Sequence, residues 1–275
     1  MIDTLLIDLD NTILDFNKAE GPALAGALRA MGIEPTEELL SRYSVINLAH
    51  WKCLEKGQIT MAEVKVSRFR QLFDEFGITV SPAETAEVYE GLLAIGHYFV
   101  EGAEDMLEEL HGRYRLYLAS NGIAKVQHSR IDSAGIEKYF DGMFISEEIG
   151  GRKPEPEYFE KCFERIPDFC KTHTAILGDS LSADMQGGKN AGITTIWFNR
   201  DDMPDEEDVR PDYEIRSLYE LPPLMKRILP KPSSPQATPS PCLAPSAGST
   251  NTATACCTAT KKSRRQRVIS CPTEY

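Results

Sequence analysis

Long apolar runs, paired cysteines and positive charge are all scarce in this sequence of 275 residues. No uninterrupted apolar run approaches the ~20 residues that cross a bilayer, and residues 1–5 lack a basic stretch followed by an apolar one. We therefore expect a cytoplasmic protein with neither a signal peptide nor a membrane partner. The seven cysteines show no spacing typical of a zinc site or a disulfide framework, so reduced thiols are expected.

Basic residues are fewer than acidic ones in residues 1–229. Residues 230–275 hold six Lys/Arg and a single acidic residue, so residues 1–229 carry 24 Lys/Arg, 41 Asp/Glu and a net charge of −17. Such an acidic body repels a phosphate backbone, which argues against a nucleic-acid polymer as the partner. A small anionic substrate held by local cations stays compatible with this charge.

Short apolar runs alternate with helical patterns along most of the chain. The apolar runs predict buried parallel strands at 5–7, 115–119, 143–145, 175–177 and 195–198. Helical patterns lie between them at 103–112, 123–134, 155–165 and 182–191. The sequence therefore predicts an α/β fold, with a Rossmann-like open parallel sheet and right-handed crossovers.

Two segments depart from this alternation. Residues 16–98 offer consecutive helical patterns, including a capping box at Thr60–Glu63, and predict an all-helical cap domain inserted after the first strand. The core is then discontinuous, with residues 1–15 and 99–229. Residues 230–275 are rich in Pro, Ser, Thr and Ala without hydrophobic periodicity, which predicts a disordered tail.

The first strand ends in a pair of acids, Asp8 and Asp10. Residues two apart on an extended segment leave it on the same side, so the two carboxylates repel unless a cation lies between them. A hard divalent ion such as Mg²⁺ prefers oxygen ligands and phosphate. Read alone, the segment Asp8–Thr12 also fits a turn with capping acids.

Two further strand ends deliver groups that can hold an anion. Ser120 and Asn121 follow the second strand, where a hydroxyl and backbone N–H groups at a helix start can bind phosphate, although both residue types are also common helix caps. The loop after the third strand contains Lys153, a source of positive charge for a phosphate or an ionised nucleophile. The neighbouring Arg152 is an equally cationic alternative.

The fourth strand runs into two more acids, Asp179 and Asp184. Asp179 lies directly at the strand end and is the better metal ligand, whereas Asp184 is better placed to orient Lys153 or a metal-bound water. Ligands of open α/β sheets bind beyond the carboxyl ends of the strands. Because four strand ends deliver complementary groups to that edge, a catalytic site there is predicted.

The order of these residues resembles the four motifs of the haloacid dehalogenase superfamily over residues 1–228: Asp8-x-Asp10-x-Thr12, Ser120, Lys153 and Gly178-Asp179-Ser180-x-x-x-Asp184. The resemblance implies a Mg²⁺-dependent phosphatase that forms an aspartyl-phosphate.

In that reading Asp8 is the nucleophile and a metal ligand, and Asp10 is the acid/base that also gives its backbone carbonyl to Mg²⁺. Asp179 completes the metal site with Asp184 in support. The predicted phosphate-binding residues are Thr12, Ser120, Asn121 and Lys153.

A narrower resemblance suggests the substrate. The segments 47–51, 56–60, 139–141, 145–150 and 153–154 look like those of bacterial noncanonical pyrimidine nucleotidases, which implies a pyrimidine nucleoside monophosphate as the small phosphorylated metabolite. A base could stack on Trp51 or Tyr43, although such aromatics are more often part of a core. The alternatives are a sugar-phosphate phosphatase or phosphomutase, then a dehalogenase, which Asp10 disfavours, or a silent phosphate-binding regulatory protein.

Overall fold

The protein contains a six-stranded parallel sheet in the order β3-β2-β1-β4-β5-β6. The computed structural model describes residues 1–204 and 209–229, and the predicted tail lies outside the described residues. The strands are β1 (Thr4–Ile7), β2 (Arg115–Ser120), β3 (Gly142–Ile145), β4 (Thr174–Gly178), β5 (Thr194–Phe198) and β6 (Tyr213–Ile215).

Ten α-helices accompany the sheet within the described residues. They are α1 (Phe16–Ala30), α2 (Glu37–Glu55), α3 (Met61–Phe76), α4 (Pro82–Leu93), α5 (Ala103–Leu110), α6 (Ala124–Ala134), α7 (Ser146–Ile149), α8 (Pro156–Phe163), α9 (Gln186–Ala191) and α10 (Leu221–Met225). A π-helical turn at Leu181–Met185 precedes α9. None of the helices described is long and apolar enough to span a bilayer.

The predicted parallel α/β sheet is confirmed, and the five predicted strands are all present. Their apolar residues are buried on both faces of the sheet, as expected for parallel strands covered by helices. The sixth strand, β6, was not predicted, because three residues at a sheet edge give too short a pattern to recognise. It extends the sheet beside β5.

Helices α1–α4 all lie between β1 and α5 and share an apolar cluster, which Ile123 and Val126 at the start of α6 also join. The capping box predicted at Thr60 opens α3, and Ser81 caps α4 ahead of Pro82. The chain enters and leaves this helical segment side by side, since Asp15 N–H donates to the Tyr98 carbonyl. All described residues nevertheless belong to a single compact unit.

The central position of β1 places its carboxyl end between those of two neighbours. β1 pairs with β2 on one side and with β4 on the other, in parallel register. The residues that follow these strands therefore meet at the same edge of the sheet. This edge carries the candidate site.

Candidate active site

A buried lysine joins the first strand to the fourth. Lys153 Nζ donates to Asp8 Oδ1 at 2.6 Å and to the Ala119 carbonyl at 2.7 Å, and it forms an ion pair with Asp184 Oδ1 at 2.7 Å. Lys153 is 2% exposed and Asp184 1% exposed. Arg152, the alternative cation, instead pairs with Glu155 at 2.9 Å. Of the two cations, Lys153 therefore lies among the acids.

Three carboxylates converge beside this lysine. Asp8, Asp179 and Asp184 each offer one oxygen, and the three oxygens lie within 4.8 Å of one another. The π-helical turn orients Asp184, whose Oδ2 accepts from Ser180 N–H at 3.2 Å. Gly178 makes this approach possible, because a Cβ there would lie 2.2 Å from Asp184 Oδ2.

The crowding of these acids changes their protonation. Burial, followed by the charges of Asp184 and Asp10, raises the pKa of Asp8 to about 7 against the opposing effect of Lys153. The pKa of Asp179 is also raised, by desolvation and then by Asp8 and Asp184. Burial alone would lower the pKa of Lys153, but Asp184 and Asp8 more than offset it and raise that pKa, so Lys153 is an ammonium.

Asp10 is held by two residues that the sequence did not single out, Gln127 and Arg130 of α6. Gln127 Nε2 donates to Asp10 Oδ2 at 2.6 Å, and Arg130 Nη1 donates to Asp10 Oδ1. Arg130 is completely buried and also donates through Nε to the Gly96 carbonyl at 3.0 Å. Both oxygens of the Asp10 carboxylate therefore have a donor from the same helix.

A signal for these two residues was present in the sequence. Positions 127 and 130 are three apart and so share one face of α6. That face also carries Val126 and Ile131 and is buried, and buried polar side chains require partners. Without the fold, however, no pattern indicates that the partner is Asp10.

The predicted phosphate-binding residues take different positions. Ser120 Oγ lines the site and accepts from Gly122 N–H at 3.1 Å and from Gln127 Nε2 at 2.9 Å. Asn121 bonds the backbone of Lys153 twice, donating to its carbonyl at 2.8 Å and accepting from its N–H at 2.9 Å. Thr12 is fully buried and is not among the residues that line the cavity.

A cavity of about 580 Å³ lies at this edge of the sheet, and its floor is lined by Asp8, Asp10, Ser120, Lys153, Asp179 and Asp184. Its roof comes from α1 and α2 and includes Phe16 and Trp51. Tyr43 faces elsewhere: it is fully buried, with its ring centroid 5.0 Å from that of Phe69, so it is a core residue. Of the two aromatics considered for stacking a base, only Trp51 faces this cavity.

The roof touches the floor beyond the strand ends. Ser182 Oγ, in the π-helical turn, donates to Glu55 of α2 at 2.7 Å. Lys65 of α3 pairs with Glu147 of α7 at 3.1 Å. The cavity thus lies between the helical segment and the sheet edge.

Comparison with known proteins shows the family of the chain. The family model of haloacid dehalogenase-like hydrolases matches residues 5–198, a range that contains every acid of the site and Lys153. The chain belongs to this family.

The chain matches several relatives over nearly the whole length of each relative. The HAD-hydrolase YfnB of Bacillus subtilis is 40% identical over 79% of this chain and 93% of its own, and the pyrimidine 5'-nucleotidase PynA of Streptococcus pneumoniae is 39% identical over 79% and 92%. The pyrimidine 5'-nucleotidase YjjG of Escherichia coli is 27% identical over 80% and 96%. A magnesium-bound crystal structure of YfnB has a TM-score of 0.78 at 39% identity, covering 82% of this chain and 98% of that one.

The donor set of this family member fits a divalent cation. When ionised, Asp8, Asp179 and Asp184 carry three negative charges against the single positive charge of Lys153, an excess of two. Carboxylate oxygens are the ligands that Mg²⁺ prefers. A dication would also reverse the effect that raises the pKa values of Asp8 and Asp179.

Proposed function

We propose that this hydrolase cleaves phosphate monoesters with the carboxylate of Asp8, and that its substrates are pyrimidine nucleoside monophosphates. The observation that carries the proposal is the buried Lys153 between Asp8 and Asp184 at the floor of the cavity. A fixed ammonium beside a nucleophilic carboxylate suits a dianionic phosphate, which must be approached by another anion.

The first chemical step forms a bond between a carboxylate oxygen of Asp8 and phosphorus, while the bond from phosphorus to the ester oxygen breaks. Asp10, protonated at this stage, gives its proton to that ester oxygen. The products are an aspartyl-phosphate on Asp8 and the free alcohol. Ser120, at the cavity floor, holds a phosphoryl oxygen, and the nearby ammonium of Lys153 offsets negative charge on the phosphoryl group.

The second step restores Asp8. Asp10, now a carboxylate, takes a proton from a water that attacks phosphorus, and phosphate leaves. Asp8, Asp179 and the backbone carbonyl of Asp10 would hold Mg²⁺, which would supply further positive charge at this end of the cavity. Asp184 fixes Lys153 from the other side.

Asp10 must free one carboxylate oxygen to exchange protons with the substrate. Its two partners differ, because Arg130 is a buried cation and Gln127 is neutral and also donates to Ser120. The Gln127 contact is the weaker of the two, since hydrogen bonds between charged partners are stronger. We infer that Gln127 yields to substrate while Arg130 keeps Asp10 in place.

The helical segment α1–α4 serves as a cap in this proposal. It encloses the cavity, excludes bulk water and presents Phe16 and Trp51, whose rings suit a flat heterocyclic base. The similarity to PynA and YjjG supports a pyrimidine nucleotide as the substrate.

Phosphate release tests the proposal. We expect the purified full-length protein with Mg²⁺ to hydrolyse UMP, dTMP and CMP with kcat/KM at least tenfold above that for hexose phosphates, and EDTA to abolish release. The matched control is Asp8→Asn, which keeps the shape of the side chain and removes the nucleophile. Full activity of this variant would contradict the mechanism, and preference for hexose phosphates would contradict the nucleotide assignment alone.

A further inference from the structure

The roof of the cavity contains a carboxylate that the proposed chemistry does not use. Glu20 of α1 lines the cavity although it is only 6% exposed. Its Oε2 accepts from Ser44 Oγ at 2.6 Å, and its Oε1 accepts from Asn47 Nδ2 at 2.7 Å. Ser44 and Asn47 are cavity residues of α2, so the three side chains form one polar patch in the roof.

A buried arginine behind the patch orients the Asn47 amide. Arg68 Nη1 donates to Asn47 Oδ1 at 2.8 Å, which directs the Asn47 amide N–H towards Glu20. Arg68 is 2% exposed, and its guanidinium lies over the rings of Tyr43, Phe69 and Tyr89 at 5.0–5.9 Å. Asn47 thus joins Arg68 to Glu20, and this network holds the Glu20 carboxylate at the cavity wall.

Among the side chains that line the roof, the remaining charges do not cancel that of Glu20, and the cation Arg68 lies behind Asn47, outside the lining. Glu55 adds a second carboxylate to the lining, while Lys52, the roof's single cation among the described lining residues, is exposed to solvent. The positive charge of Lys153 is engaged at the floor by Asp8 and Asp184. A leaving group under the roof therefore meets an anionic surface between aromatic side chains.

Each oxygen of Glu20 has one donor, and a carboxylate oxygen can accept a second hydrogen bond. We propose that Glu20, oriented by Ser44 and Asn47, selects uncharged leaving groups with N–H or O–H donors and rejects those that carry their own carboxylate or phosphate. The inference rests on the proposed phosphatase reaction and adds which leaving groups the cavity admits. Uracil and cytosine each present N–H donors and no charge, so they satisfy the roof, whereas acidic sugars and amino acids do not.

The test uses two isosteric pairs of aryl phosphates: 3- and 4-carbamoylphenyl phosphate against 3- and 4-carboxyphenyl phosphate. Each pair consists of the carbamoyl and the carboxyl compound with the same ring position, so its members differ only in charge and in the N–H donor. The 3- and 4-positions reach different parts of the roof. We expect wild-type kcat/KM to favour the carbamoyl substrate at least tenfold in one or both pairs. In Glu20→Gln that preference should fall at least fivefold, because the amide removes the repulsion.

Glu87→Gln is the matched control, since Glu87 is exposed on α4 and lies outside the cavity lining. It makes the same change of charge in the same helical segment and should leave the preference unchanged. The proposal is overturned if wild-type values agree within twofold in both pairs, or if Glu20→Gln keeps the wild-type preference. Should circular dichroism show that Glu20→Gln does not fold, the wild-type ratios decide alone.

These outcomes separate the role of Glu20 from the nucleotide assignment. A preference for hexose phosphates over UMP would overturn the nucleotide substrate and leave the aryl ratios as predicted, because hexoses are also uncharged. Loss of the aryl preference with UMP still favoured would overturn only the role of Glu20.

Discussion

Replacement of Arg130 tests whether activity depends on how Asp10 is positioned, because it removes a partner of Asp10 and leaves the Asp10 side chain itself unchanged. In the folded protein Arg130 is buried on α6, contacts Asp10 and reaches the Gly96 carbonyl on the segment that leads out of the helices α1–α4. Arg130→Met keeps an unbranched apolar stem and removes every donor. Asp10 then keeps only its bond from Gln127, which is shared with Ser120.

The structure sets the size of the effect. Breaking a fully buried ion pair costs about 3–5 kcal/mol, but the Asp10 side chain is 30% exposed, so solvent compensates part of the loss and we expect about 2 kcal/mol. For a domain of this size that lowers Tm by roughly 4–8 °C. A loosened catalytic carboxylate costs on the order of 10²-fold in rate, so kcat should fall about 10–100-fold while KM changes less than threefold.

The assay is steady-state phosphate release with UMP and Mg²⁺, repeated in the Asp10→Asn background. If Arg130 acts through Asp10, the two losses are not additive, and Arg130→Met costs little once Asp10 is already Asn. Arg130→Lys should recover part of the rate, since an ammonium can reach one of the two acceptors. Arg113→Met, at an exposed arginine paired with Glu109, is the control and should have no effect. Additive losses, or an unchanged kcat, would refute the reasoning.

Three further substitutions test the floor of the site. Lys153→Met leaves the carboxylates without their buried cation, so we expect a loss of about 3–5 kcal/mol in the metal-free unfolding free energy and no measurable kcat. Gly178→Ala places a Cβ 2.2 Å from Asp184 Oδ2, and kcat should fall on the order of tenfold as Asp184 is displaced from Lys153. The raised pKa values of Asp8, about 7, and of Asp179 mean that the folded state binds protons that the unfolded chain releases near pH 4. The metal-free stability they contribute is therefore greatest at low pH and is lost as pH rises to about 7. Asp179→Asn should flatten that decline in urea titrations at pH 5 and pH 8 and abolish activity with Mg²⁺.

Most of the sheet could be predicted from the sequence because its strands are buried on both faces. Such strands appear as short continuous apolar runs, and the predicted run at 175–177 lies inside β4. A glycine after a helical pattern also indicates where the helix ends, and Gly135 and Gly192 have positive φ directly after α6 and α9. β6 could not be predicted, because only one of its three residues, Tyr213–Ile215, is buried.

The candidate site was less completely predictable. Residues that follow strands could be placed at one edge by topology alone, which is how Asp8, Lys153 and Asp179 came together. Arg130 and Gln127 lie within a helix, and their contact with Asp10 spans more than 115 residues of sequence, so no local pattern announces it. The direction of a side chain could not be predicted from the sequence either. Tyr43 is an example, because its burial depends on how α2 packs against α3 and α4.

The central claim is that Asp8 becomes phosphorylated during turnover. Its most direct test is to quench the reaction of UMP with Mg²⁺ in acid, reduce the protein with borohydride, and locate by peptide mass spectrometry any aspartate converted to homoserine. We predict conversion at Asp8 only, dependent on both UMP and Mg²⁺, with Asp10→Asn retaining some label because the water attack is impaired. Phosphate release in the absence of any modification at Asp8, or label at another residue, would contradict the mechanism.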